Sequence, residues 1–99
     1  MLKSIYNIDF IGNARILEYL EMSDDHIPTG YCRHSIGGEK RTDFMALAIC
    51  KYTGVNGFYL FYCDESWEEI NDSYHETIDE AKKQAEFEYT GTKNDWRKK

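Results

Sequence analysis

Two apolar, aromatic-rich runs, Phe44 to Tyr52 and Phe58 to Cys63, dominate the middle of the chain, separated by Thr53-Gly54-Val55-Asn56-Gly57. Asn-Gly between such runs is a strong hairpin signal, because both residues tolerate the positive φ of a type I′ turn. A two-residue turn there sets Cys50 opposite Cys63. Period-two alternation sorts Leu47, Ile49, Phe58, Leu60 and Tyr62 to one face, and Ala48, Cys50, Tyr52, Tyr59, Phe61 and Cys63 to the other. Asp64 to Glu69 reads as a polar turn and Ile70 to His75 as a third strand.

The pattern then changes period. Ile78, Ala81, Ala85 and Tyr89 recur at helical spacing, and the small alanines let such a helix approach a sheet closely. Thr77 and Glu80 form a T-x-x-E capping box, Asp79 and Glu80 suit the positive end of the helix dipole, and Gly91 offers a left-handed C-terminal cap. Phe87 points away from the stripe, toward a separate partner such as the tail carrying Trp96.

Upstream, Tyr6, Ile8 and Phe10 alternate with Asn7 and Asp9 as a half-buried strand does, and Gly12-Asn13 marks a turn. From Arg15 to Met22, Ile16, Leu17 and Leu20 fit a helical stripe, while Leu17 and Tyr19 flanking Glu18 fit a strand, the reading adopted. Residues 23–43 hold Pro28, Gly30, Gly37 and Gly38 and few large apolar residues, and read as a long loop or loose hairpin. The expectation is one α+β domain, an antiparallel meander of four to five strands with one C-terminal helix on one face. Its parts are N-terminal strands (1–22), a loop (23–43), a hairpin and third strand (44–75), a helix (77–90) and a tail (91–99). Both hairpin faces are apolar and one helix covers one of them. The other, bearing Tyr52, Tyr59 and Phe61, calls for the N-terminal segment, a second copy of the chain, or another protein.

The stretch from Ala46 to Trp96 resembles a group of small, functionally uncharacterised bacterial α+β proteins. The resemblance is carried by Gly57-Phe58-Tyr59-Leu60-Phe61-Tyr62-Cys63-Asp64, then Trp67, Asp72, Tyr74-His75, and Asp79 through Tyr89. It implies a bacterial, cytosolic hairpin-plus-helix domain and brings no catalytic residue with it.

Composition and charge narrow the partners. With 41% hydrophobic and 15% aromatic residues in 99, the chain has the means to fold despite 30% charged residues. No apolar stretch approaches the ~20 residues of a membrane span, and the acid at Asp9 interrupts any signal-peptide run, so a cytoplasmic protein is expected. The net charge of −6 is localised: residues 64–88 carry ten acids against Lys82 and Lys83, while the remainder is nearly balanced. Nucleic acid and anionic membranes reward clustered Lys and Arg and are disfavoured as partners. A basic protein suits the acidic strip of Glu65, Glu68, Glu69, Glu76, Asp79 and Glu80. Hairpin turns have no local need for three glutamates, which makes Glu65, Glu68 and Glu69 the sharper candidates.

Chemistry offers two competing sets. Cys32, His34, Cys50 and Cys63 could assemble a tetrahedral metal site, although the usual C-x2-4-C spacing is missing and three sparse cysteines also fit reduced, buried thiols. His75, oriented by Asp72, Asp64 or Glu76, could act as a base toward Cys63, but Asp72 and His75 fall on opposite faces of an unbroken strand. The Gly37-Gly38-Glu39-Lys40-Arg41 stretch is a glycine turn with nearby bases, and no phosphate-loop, dinucleotide or HExxH pattern occurs. No cofactor is expected. The leading reading is a protein-binding module, in its concrete form an acidic inhibitor of the immunity or antitoxin kind, or a homodimer through the aromatic face. The alternative is a zinc-binding or small catalytic domain using Cys50, Cys63 and His75.

Overall fold

The apolar runs become the centre of one antiparallel sheet. The structure, a computed structural model, describes residues 2–30, 34–36, 39–41 and 44–99. Its elements are β1 (Phe10–Ile11), β2 (Ala14–Glu21), β3 (His34–Ile36), β4 (Glu39–Arg41), β5 (Ala46–Tyr52), β6 (Phe58–Cys63), β7 (Glu69–His75), α1 (Ile78–Glu88) and β8 (Arg97–Lys98). The main sheet runs β1-β2-β5-β6-β7, with β8 also paired to β2, and β3 and β4 pair separately. Residues 14–21 are a strand, so the helical alternative there falls away.

Each face of the sheet carries its own core. Leu47, Ile49, Leu60 and Tyr62 meet Ala81, Ala85 and Tyr89 on the helix side, with Ile78 and Trp96 at the margin. The buried alanines are the close-approach stripe. Thr77 caps α1 by accepting from the Glu80 N–H at 3.1 Å, while the Glu80 carboxylate accepts from the Glu76 N–H at 3.0 Å. At the other end the helix stops at Glu88, because Tyr89 turns extended and bridges to Pro28. Gly91 does have a left-handed φ of 77°, but it answers a different need from the expected cap: a Cβ there would lie 2.9 Å from the Asp25 carbonyl oxygen.

The opposite face is closed by the chain's own N-terminal segment. Ile5, Ile11 and Trp67 bury Ala46, Ala48, Cys50, Phe61 and Cys63. The segment is not the expected alternating strand. Ile8 N–H bonds the Ile5 carbonyl in a turn, so Ile5 and Ile11 point inward while Tyr6 is 83% exposed and Phe10 51% exposed. On β2, the irregular pairing between Ile16 and Glu18 puts Glu18 on the helix face beside Ile49, where Lys82 meets it at 2.8 Å.

The hairpin register also differs from the expected one. Cys50 pairs with Tyr59 and Ala46 with Cys63, four positions away from an Asn56-Gly57 turn of two residues. Gly54 and Gly57 take positive φ whereas Asn56 does not, and Lys51 Nζ binds the Val55 and Gly57 carbonyls at 2.7 and 3.2 Å. A longer loop held by that ammonium replaces the type I′ turn, which needs both central residues left-handed.

Candidate functional site: an aromatic and carboxylate pocket

The polar turn after β6 is built around Asp64. Its Oδ1 accepts from the Ser66 N–H at 2.8 Å and the Glu68 N–H at 3.0 Å, an arrangement natural to aspartate in turns. The tight path forces Trp67 to φ 63°, a conformation rare for a bulky residue. The indole is buried; its Nε1–H donates to the Lys3 carbonyl at 2.6 Å and its ring meets Tyr19 edge-on at 5.9 Å. Lys3 N–H returns a bond to the Glu65 carbonyl at 2.6 Å. This turn and the N-terminal segment therefore clamp each other.

Between them lies a cavity of about 400 Å³, lined by Ile8, Phe10, Ile11 and Gly12 on one side and Tyr52, Ser66, Trp67, Glu68 and Glu69 on the other. Three aromatic rings, Phe10, Tyr52 and Trp67, and two carboxylates, Glu68 and Glu69, share its wall. The wall continues into a chain of edge-on tyrosines, Tyr52 to Tyr59 at 5.3 Å and Tyr59 to Tyr74 at 5.5 Å. At its lip the irregular pairing between Tyr62 and Cys63 leaves Ile70 out of the ladder. Glu69 then stands opposite Cys63 and Asp72 opposite Phe61, on one face although three residues apart. Their carboxyls are hydrogen-bonded to each other, which lifts Glu69 to about 7, with partial burial and the Asp72 charge adding to the effect. Burial and then these two acids push the Tyr52 phenol up.

Two residue sets expected separately, the turn glutamates and the aromatic face, thus meet at one place. Tyr52, Glu68 and Glu69 line the cavity, Glu65 sits on its turn and Tyr59 continues its wall. Phe61 is instead 1% exposed, a core side chain unable to meet a partner directly. Glu76, Asp79 and Glu80 lie at the start of α1, beyond the far end of the seven-residue β7, so the acidic strip is two patches divided by roughly 20 Å of strand.

Among the described residues, the expected thiols and histidine are not brought together. Cys50 and Cys63 stand four ladder positions apart, and burial pushes the Cys50 thiol up to about 12 and Cys63 higher still, away from the thiolate that a nucleophile or metal ligand needs. His75 pairs with Phe58 at the opposite end of β6 from Cys63, its imidazole lowered by burial and bonded to Ser73 Oγ at 2.8 Å. Cys32 and the side chain of His34 lie outside the described residues, and no metal-holding group of His, Cys, Asp and Glu occurs among the described ones.

Sequence reasoning missed a second polar assembly. His26 Nε2 lies 2.7 Å from Asp95, and its Nδ1 lies 2.9 Å from the Ser23 N–H and 3.3 Å from the Ser23 hydroxyl, beside a cavity of about 330 Å³. The backbone N–H assigns Nδ1 as acceptor, which leaves Nε2–H to donate to Asp95. Both ring nitrogens are spent, so the imidazole fastens the 23–26 turn to the tail and has no lone pair left for a serine. Ser-x-x-His is a capping spacing legible in sequence; the Asp95 contact, 69 residues away, is not.

No family model matches the chain, and neither a curated protein nor a solved structure does. Among the described residues no helix is long and apolar enough to cross a membrane.

Proposed function

We propose that this is a protein-binding module that receives a basic partner at the end of the sheet formed by the β6–β7 turn, Tyr52 and the N-terminal segment. The observation carrying this reading is the joining of Glu68 and Glu69 with Tyr52, Trp67 and Phe10 around one open cavity. Aromatic faces and carboxylates together suit a cationic side chain: the rings offer cation–π attraction and the acids a charge partner. The patch at the start of α1 has a local reason to exist, the helix dipole and the cap, whereas Glu65 and Glu68 have none. In its concrete form the module is a small cytoplasmic inhibitor that masks a basic surface of another protein. Self-association through the aromatic face is the lesser reading, because the N-terminal segment already covers Phe61.

Capture from a bacterial host's lysate tests this, using the wild-type chain, a Glu65→Lys, Glu68→Lys, Glu69→Lys variant, and a Glu76→Lys, Asp79→Lys, Glu80→Lys variant. The wild type and the helix-start variant should retain the same basic protein and the turn variant should lose it. Retention of proteins that are not basic, or equal loss in both variants, contradicts the proposal.

A further inference from the structure

Asn56-Gly57 is a strong turn signal, yet the fold does not use it as a two-residue turn. Asn56 is not left-handed, and the pair sits in the longer loop 53–57 between β5 and β6. What the dipeptide offers instead is chemistry. Of the asparagines at positions 7, 13, 56, 71 and 94, Asn56 alone precedes a glycine. A side chain on the following residue crowds the approach of its backbone nitrogen to the asparagine carboxamide, and glycine has none. Asn56 is exposed, as are Thr53, Gly54 and Val55. Among the described residues nothing bonds the Asn56 carboxamide or accepts from the Gly57 N–H. Asn71, by contrast, lies within β7 and its carboxamide oxygen accepts from the Asp72 N–H at 2.9 Å. The glycine is also fixed by the fold: its φ is 86°, and a Cβ on it would run into the Tyr74 ring.

We infer that Asn56 is a deamidation site, with water as the co-reactant, and that its conversion loosens the β5–β6 loop. The Gly57 nitrogen, having given its proton to hydroxide, attacks the side-chain carbonyl carbon of Asn56. The new C–N bond closes a five-membered succinimide, and the side-chain nitrogen takes up a proton and leaves as ammonia. Water then opens the ring at one of its two carbonyls, so one water is consumed for each ammonia released. Opening at the side-chain carbonyl gives aspartate. Opening at the backbone carbonyl gives isoaspartate, whose main chain runs through the former side chain and gains one methylene. Each product places a carboxylate in a loop with no charged residue of its own. The cation that holds this loop is Lys51, whose Nζ bonds the carbonyls of Val55 and Gly57, on either side of Asn56, and lies 5.0 Å over the Phe58 ring. A carboxylate is a stronger acceptor for an ammonium than a neutral carbonyl, so Lys51 turns to residue 56 and its grip on the loop carbonyls weakens. Isoaspartate also displaces Gly57 along the chain and breaks its close fit against Tyr74, the outer ring of the tyrosine chain that runs through Tyr59 to Tyr52.

The experiment holds the full chain at pH 8.5 and follows its mass and the NMR signals of the Lys51 ammonium and the Tyr74 ring, with the chain in urea as the reference for the unhindered reaction. The expected result is replacement of one NH2 by OH, mapped by digestion to Asn56, with isoaspartate among the products as the mark of the ring intermediate. The folded chain should convert nearly as fast as the chain in urea, and conversion should slow at pH 6, because ring closure needs the deprotonated amide. Asn56→Gln, whose ring would need a sixth member, should lose the conversion. Asn56→Asp supplies the charge without the methylene and should move the Lys51 signal while leaving Tyr74 in place; the isoaspartyl chain should move both. A folded chain that keeps its mass while the chain in urea converts overturns the proposal, as does conversion that begins at another asparagine. An isoaspartyl product whose Lys51 and Tyr74 signals stay where they were overturns the loosening of the loop.

Discussion

Glu69 gives the folded state a distinctive pH response. Its carboxyl titrates at about 7 against an ordinary 4.5, so the folded chain holds that proton more tightly than the unfolded one. The stability this contributes is fully present below pH 4.5 and is lost as pH rises to 7. His75 works in the opposite sense: burial holds its imidazole below 6.5, so its contribution grows as pH rises toward that value. Glu69→Gln leaves His75 unchanged and removes the first effect. The variant should be more stable than the parent at pH 8 and lose that advantage near pH 4.5, read from urea midpoints at the two pH values. Gly57 marks a second sensitive position. A Cβ there would come 2.4 Å from the Tyr74 ring, and its φ of 86° strains any L side chain. Gly57→Ala should therefore lower the urea midpoint and displace the Tyr74 ring signals, whereas Gly54→Ala, with open space around it, should lower the midpoint less and leave that ring in place.

Among the elements, α1 was the most legible in sequence, because its signals are local: the cap, the first-turn acids and the alanine stripe all lie within a few residues. Thr77→Ala should cost about 1 kcal/mol through loss of the cap acceptor, and Ala85→Glu more, since a charge would be forced against Leu60 and Tyr62. Chemical denaturation measures both. The two hairpin faces were legible for the same reason, because alternation survives any even shift in register. The register itself was not. Asn56-Gly57 is a strong local signal, yet Gly54 and the grip of Lys51 on two loop carbonyls win, and those contacts exist only once the loop is formed. The Glu69–Asp72 pairing was hidden likewise, since it depends on one residue slipping out of the ladder. With the N-terminal segment packed over Phe61, the charge introduced by Phe61→Asp should unfold the chain rather than split a dimer. Loss of the circular-dichroism signal is the readout, and a folded variant of altered size on a sizing column would speak for an interface.

For the whole molecule, the organising fact is that the chain covers both faces of its own sheet and leaves the acidic, aromatic end open. The N-terminal segment is the cover on one side and part of the candidate site, supplying Ile8, Phe10 and Gly12. The covering role was one of the alternatives raised by a hairpin apolar on both faces; the role in the site was not legible, because apparent alternation over Tyr6, Ile8 and Phe10 concealed a turn. The concentration of charge between residues 64 and 88 was plain in sequence, but its division into two patches needed the length of β7. That division allows a direct test of the central claim, that a basic partner binds at the β6–β7 end. Hydrogen exchange of the chain, free and in complex with the captured protein, locates the contact. The account predicts slowed exchange at Gly12, Tyr52 and residues 64–72, with the amides at the start of α1 unchanged; slowing confined to residues 76–80, with the β6–β7 turn exchanging as in the free chain, would contradict it.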